Sequence, residues 1–284
     1  MGSLAALSAA IEARDPYSRG HSSRVTVFAQ AMARRIGLET ERVSVLRLGA
    51  LLHDIGKLAV PSTVLLKLHA GLTRPAIATL FPTARQPIVV LDSGANVDCS
   101  AQELVQFARL GAVYAEDVLG RHNPIVGLLS IGEEAEKGNA VVKEANQLLR
   151  SAGVNFQGNI EGRDLPAGGS DRGPIDVVVC DGFVGNVLLK FYEAIAPMMI
   201  GLMSTHAGIE KAVLMKALKH LDYSEYGGAP LLGVRGVSVI SHGKSSPRAI
   251  KNAIKVAAKT VESRMSEHIG RRLSETNGNQ DSVT

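Results

Sequence analysis

The sequence predicts a mostly parallel α/β protein built as a three-layer sandwich, preceded by a small all-helical segment. Three observations predict it. Short apolar runs, Ile88 to Leu91, Ile125 to Ile131 and Val177 to Cys180, are too short and too β-branched for helices. They read as strands buried on both faces, which requires helices above and below the sheet. Amphipathic helical stretches separate them, so the chain reads as parallel βαβ units with right-handed crossovers. Residues 1–68, by contrast, carry only helical spacing. The expected divisions are 1–68 helical, 69–272 α/β, and 273–284 a polar, disordered tail.

Composition narrows the function classes. Hydrophobic residues at 45% and charged residues at 20% are a globular balance. No uninterrupted apolar run reaches the roughly 18 residues of a membrane span, and the start, Met1-Gly2-Ser3-Leu4, lacks the basic region of a secretory leader. Two cysteines, Cys99 and Cys180, make no disulfide framework and read as buried thiols of a reduced, cytoplasmic protein. The net charge of +4 suits anionic partners: phosphate, an acidic carrier protein or an anionic membrane surface. No basic-aromatic platform for nucleic acid is present.

Taken in order, Leu4, Leu7, Ala10 and Ile11 keep helical spacing until Asp15-Pro16 breaks it. A helix follows from about Ser22 to Ile36 with Val25, Phe28, Ala29, Met32 and Ile36 on one face, and Gly37 ends it. A third helix starts near Glu39 and leads into His53-Asp54-Ile55-Gly56-Lys57. Adjacent imidazole and carboxylate suit a divalent transition metal such as iron or manganese. Together with Gly20-His21-Ser22-Ser23-Arg24-Val25 and Val60-Pro61, this stretch resembles the opening of an HD-GYP domain over residues 5–67. The resemblance implies His21, His53 and Asp54 as the first part of a metal-ligand set in a cyclic-dinucleotide phosphodiesterase. The remaining histidines and the Gly-Tyr-Pro signature are not in the sequence.

Beyond Lys67 the strand–helix alternation begins. Pro87 to Asp92 is a strand ending in a carboxylate, followed by the loop Ser93 to Cys99. Ser100 to Leu119 is a helix with Ser100 as N-cap and Glu103 as its capping-box partner. The strand from Ile125 feeds the loop Gly132 to Asn139 and a helix to Arg150. Val154 to Phe156 is a short strand before the loop Gly158 to Asp164, and residues 166–174 are a Pro/Gly loop. Val177 to Cys180 then ends at Asp181-Gly182-Phe183-Val184-Gly185-Asn186, where Gly182 and Gly185 permit a tight turn into a new helix. Open α/β sheets bind ligands at such carboxyl ends, and the new helix offers free amides and a positive dipole end to an anion.

Three strand ends thus deliver Asp92/Asn96, Lys137/Asn139 and Asp181/Asn186 to one edge of the sheet. Backbone amides and Lys137 can hold phosphate, and Asn side chains can donate to a developing oxyanion. The alternative is that Asp and Asn only cap helices and shape turns, which is the reading for Asp98 and Asn123.

On these segments, and on Arg74 to Ala78, Val126 to Glu134, Gly158 to Asp164 and Leu221 to Gly233, residues 70–266 resemble the bacterial acyl-carrier-protein:phosphate acyltransferase (PlsX) family. The resemblance implies a Rossmann-like sheet, a homodimer, and a cytoplasmic enzyme touching the inner membrane face. It implies transfer of a long acyl chain from acyl carrier protein to inorganic phosphate without a cofactor. Lys137 would hold or activate phosphate, Asn186 would orient the thioester carbonyl, and Asp181 would position those donors. Asp92, Asn96, Asn139, Gly182, Gly185 and His242 complete the candidate substrate site. The family's opening Asp-Ala-Met-Gly-Gly-Asp strand is absent from the sequence, and the HD-GYP-like segment stands in its place.

The stretch Val187 to Met203 is almost wholly apolar, and Lys211 to His220 mixes apolar and basic residues. This pattern fits a dimer or core helix pair, or a helix lying on a membrane. Tyr223 to Gly233 reads as a loop, Val237 to Ile240 as a last strand, and Pro247 to Arg272 as one helix with Lys251, Lys255, Lys259 and Arg264 on it. That basic face suits an acidic acyl carrier protein. Two other functions fit parts of the chain: a metal-dependent HD-type phosphohydrolase, and a non-catalytic dimerising or membrane-docking module.

Overall fold

The β-branched runs form the centre of a five-stranded sheet, as their burial requires. The structure, a computed structural model, describes residues 21–52, 66–217, 228–241 and 245–278. The chain divides into two compact units, Met1–Lys67 and Leu68–Thr284.

In the first unit α1 (His21–Arg35) and α2 (Thr40–Leu52) pack on each other through Ala33, Val43 and Ala50, which are buried. Gly37, at φ +74°, closes α1. The Leu38 amide reaches back to the Ala33 carbonyl (3.0 Å) and the Gly37 amide to the Arg34 carbonyl (3.2 Å), the paired bonds of a Schellman end. The expected apolar face is shifted: Met32 and Ile36 are exposed, and Ala33 takes the inner position. The side chain of His21, and all of His53 and Asp54, lie outside the described residues.

The second unit runs β1 (Ala76–Ile77), β2 (Thr79–Phe81), β3 (Ile88–Leu91), α3 (Ala101–Asp117), β4 (Ile125–Leu129), α4 (Ala140–Leu149) and β5 (Asn155–Ile160). It continues with α5 (Asp164–Ala167), β6 (Gly169–Ser170), β7 (Gly173–Pro174), β8 (Val177–Val179), α6 (Gly182–His206) and α7 (Lys211–Ala217). β9 (Ala229–Leu232), β10 (Val239–Ile240), α8 (Pro247–Glu262) and α9 (Met265–Gly278) complete it. The main sheet has the order β2-β3-β8-β4-β5; only β2 is antiparallel to its neighbour. A small antiparallel sheet has the order β1-β9-β10.

β8 sits at the centre, and Val177, Val178 and Val179 are fully buried. Alternate residues feed the two faces. Val177 and Val179 join Leu91, Val126, Leu128, Phe107, Tyr114 and Ile269 on the side covered by α3, α4 and α9. Val178 joins Phe81, Ile88, Val90, Ile160 and Leu165 on the side covered by α5 and the start of α6. The result is a three-layer sandwich with a mostly parallel sheet. α3 lies directly on the strands: a Cβ at Gly111 would stand 2.6 Å from Val177 Cγ1 and 2.7 Å from Leu91 Cδ1. The expected capping box is present, with the Glu103 amide donating to Ser100 Oγ (3.3 Å) and the Ser100 amide donating to Glu103 Oε2 (2.8 Å). Arg272 Nε donates to His268 Nε2 (3.2 Å), so His268 carries its proton on Nδ1 and donates it to Asp117 (2.9 Å), joining α9 to α3.

Four boundaries differ from expectation. β5 continues through Gly158-Asn159-Ile160, read above as loop, with a register shift that leaves Gln157 unpaired. Four of the eleven residues of the expected Tyr223–Gly233 loop form strand β9; Tyr223 and Tyr226 lie outside the described residues. The last helix is two, broken at Arg264, which adopts a left-handed φ of +52°. Helix α9 extends to Gly278, so residues 273–278 are not tail.

α6 is long and apolar enough to cross a membrane by length and composition alone. Its first turns instead cover the sheet, with Val184, Leu188, Leu189 and Tyr192 packed on the core. Phe183, Val187, Phe191 and Met198 are exposed along its outer side.

Candidate functional site at the carboxyl edge of the sheet

Asp92 follows β3 and is fully buried. Its Oδ1 accepts from the amides of Ile77 (2.9 Å), Gly94 (3.2 Å) and Ala95 (3.1 Å). Its Oδ2 accepts from the Asn96 amide (2.6 Å) and Asn96 Nδ2 (2.8 Å). Five donors saturate the carboxylate, and Asn96 spends its remaining reach on the Pro75 carbonyl (2.8 Å). Both were expected to touch substrate. The structure makes them the frame of the 92–96 loop instead.

That loop seats the start of α6. The Gly182 amide donates to the Asn96 carbonyl (2.7 Å). A Cβ at Gly185 would stand 1.9 Å from the Asp92 carbonyl oxygen, and one at Gly182 would stand 2.5 Å from the Asn96 carbonyl oxygen. The two glycines are therefore helical, and they serve backbone approach rather than the expected tight turn. Asp181 caps the helix, its Oδ1 accepting from the Val184 amide (2.8 Å).

At the end of β4 the chain enters the 132–139 loop. Asn159 holds it from β5: fully buried, it donates Nδ2 to the Glu134 carbonyl (2.7 Å) and accepts from Asn146 Nδ2 (2.8 Å). Asn139 caps α4, its Oδ1 accepting from the Val142 amide (2.9 Å). Lys137 is exposed, its stem passing close over Gly132.

Between these elements lies a cavity of about 810 Å³. Leu104, Leu128, Val141, Val142, Val184 and Leu188 give it apolar walls, and Ser130, Asn139, Asp181 and Asp98 are its polar groups. Both N-caps line it, so the positive ends of α4 and α6 converge there. Cys99 and Cys180 also line it. Burial raises the Cys99 thiol to about 11 and pushes Cys180 well above its ordinary value, so neither is a thiolate near neutral pH.

The structure therefore gathers Asp181 and Asn139 at the cavity, with Lys137 next to the wall residue Gly138. Asn186 stands apart. Two residues beyond Val184, it is turned by roughly 200° around the helix and packs against Gly94, where a Cβ would lie 3.5 Å from its own. His242 lies outside the described residues, as do His53 and Asp54. Sequence reasoning missed Ser130 and Asn159. A hydroxyl closing a buried strand was the signal available for the first; the second, within a polar edge strand, gave none.

These features define a class: an α/β protein with a ligand cavity at the carboxyl ends of parallel strands, apolar within and capped by two helix N-termini. The family model described as "Fatty acid synthesis protein" matches residues 55–268, and the chain belongs to that family. A model described as "HD domain" matches residues 19–87. The chain is similar to the phosphate acyltransferase of Desulforamulus reducens, 52% identical over 202 residues, covering 68% of this chain and 59% of that protein. It is similar to the phosphate acyltransferase of Clostridium acetobutylicum, 43% identical over 232 residues, covering 78% of this chain and 69% of that protein. The chain is similar to the EutD phosphotransacetylase from Staphylococcus aureus at 16% identity and a TM-score of 0.48, over 82% of this chain and 74% of that one. The chain spans about three-fifths of the length of the first of these relatives.

Proposed function

We propose that this chain forms acyl phosphate, taking a long-chain acyl group from acyl carrier protein to inorganic phosphate in phospholipid synthesis. The observation that carries this reading is the convergence of two helix N-termini on one apolar cavity. The helix ends stabilise a dianion, and the walls suit an acyl chain; about 300–1,000 Å³ is the usual range for a ligand pocket.

In the proposed reaction hydrogen phosphate is the nucleophile. One of its oxygens bonds to the thioester carbonyl carbon, the C–S bond breaks, and the proton of hydrogen phosphate ends on the released thiol. No covalent enzyme intermediate is required, because alignment and desolvation supply the rate enhancement. Lys137 brings positive charge to phosphate from the loop beside the wall. Asp181 holds the first turn of α6 so that its amides face the cavity. The thioester reaches the cavity past Val97, and Asn186, packed against Gly94 outside the cavity, holds the adjoining loop. Lys251, Lys255 and Lys259, exposed on α8, receive the acidic carrier protein.

Lys137→Ala tests these roles. The expected result is a fall in phosphate-dependent turnover of about tenfold or more with unchanged melting; unchanged kinetics would remove Lys137 from the reaction.

A second reading is favoured by the exposed apolar row of α6: a homodimer contact or docking on the inner membrane face. Liposome flotation and sedimentation of the purified protein separate these from a free monomer.

A further inference from the structure

Ser130 ends β4, and its amide completes the ladder to β5 by donating to the Ile160 carbonyl (2.9 Å). Its hydroxyl is held differently. Oγ is buried without a hydrogen-bond partner, as are Thr79 Oγ1, Gln157 Oε1 and Tyr192 OH among the described residues. Of these four residues, Ser130 is the one that lines the cavity. Gly138 faces it: a Cβ there would stand 3.0 Å from Ser130 Oγ and 2.7 Å from Val142 Cγ1. Glycine at this position leaves room beside the hydroxyl that a side chain would fill.

A buried hydroxyl bonded to no protein group costs about 1–3 kcal/mol unless water or a ligand satisfies it. An anion in the cavity removes that cost and gains a charge-assisted bond. Among the described residues no base is hydrogen-bonded to this hydroxyl, so it is a donor rather than an activated nucleophile. The neighbouring Asn139 commits its Oδ1 to the Val142 amide and is exposed, so Ser130 is the buried side-chain donor on this wall.

We propose that Ser130 Oγ–H donates to a phosphate oxygen bound in this cavity, a binding role that rests on the acyl-phosphate reading above. The test is calorimetric titration of the whole chain with inorganic phosphate, alongside thermal melting, for wild type, Ser130→Ala and Ser130→Thr. Ser130→Ala is expected to weaken phosphate binding about tenfold while melting at the same or a higher temperature without phosphate. Ser130→Thr keeps the hydroxyl and is expected to bind within about threefold of wild type.

Wild-type binding matched by Ser130→Ala would overturn the inference and leave the acyl-phosphate reading standing. A fall in kcat with unchanged phosphate affinity would place the hydroxyl on the thioester and also overturn it. Wild type that binds no phosphate would remove both.

Discussion

Two strand ends meet at the same edge of the sheet and spend their polar groups in opposite ways. After β3, Asp92 is surrounded by five donors and sealed from solvent. After β4, Ser130 keeps a buried hydroxyl with nothing to bond. The more conspicuous motif, a carboxylate closing a strand before a glycine-rich loop, is scaffold. The plain serine is the group with hydrogen-bonding capacity to spare at the cavity. A saturated polar group has no capacity left for substrate, whereas one bonded to no protein group keeps its capacity for water or a ligand.

The largest break in this comparison comes from Asp92→Ala. Four backbone amides lose their acceptor at once, and at about 1–3 kcal/mol each the 92–96 loop and the start of α6 should come apart. Denaturant unfolding should show a loss of several kcal/mol, on the order of 3 or more. A loss under about 1 kcal/mol would mean that the loop holds without the carboxylate.

Next is Gly185→Ala. A methyl 1.9 Å from the Asp92 carbonyl oxygen forces α6 away from the loop, an overpacking cost of about 1–3 kcal/mol. The same variant should lose turnover through misplacement of Asp181. A stable variant with wild-type turnover would show that the approach of loop and helix is not needed.

The smallest effect sharpens the comparison through a third carboxylate, Glu103. Burial works against its charged form, but hydrogen bonds from Ser100 and the Arg74 guanidinium at 3.0 Å prevail and lower its pKa. A folded-state pKa below the unfolded one stabilises the protein above the unfolded value, and that contribution is lost as pH falls through the folded one. Glu103→Gln keeps the capping geometry and loses the charge. It should cost about 0.5 kcal/mol at neutral pH, and the gap to wild type should close below about pH 4. A gap independent of pH would show that the carboxylate charge is not what matters.

Much of the fold was legible because its signals are local. The valines of β8 and the Ser100/Glu103 box of α3 each declare themselves within a few residues. Elements set by tertiary contact were not. β5 is polar and bulged at Gln157, and its edge carbonyls at Gln157 and Asn159 accept from Arg172 rather than from another strand. The break between α8 and α9 falls on Arg264 in a left-handed conformation, with neither glycine nor proline at that residue to announce it. The site divides the same way. Asp181 and Asn139 were visible as residues opening helices. The role of Asp92 depends on the Ile77 amide 15 positions away, and Ser130 becomes informative only once its surroundings are known to hold no partner.

The most direct test of the central claim is capture of acyl phosphate with hydroxylamine, using purified protein, palmitoyl acyl carrier protein and inorganic phosphate. The expected result is an acyl hydroxamate whose formation saturates with phosphate and falls when Lys137 is replaced by Ala. Folded protein that binds phosphate and yields no hydroxamate above the enzyme-free rate would contradict it.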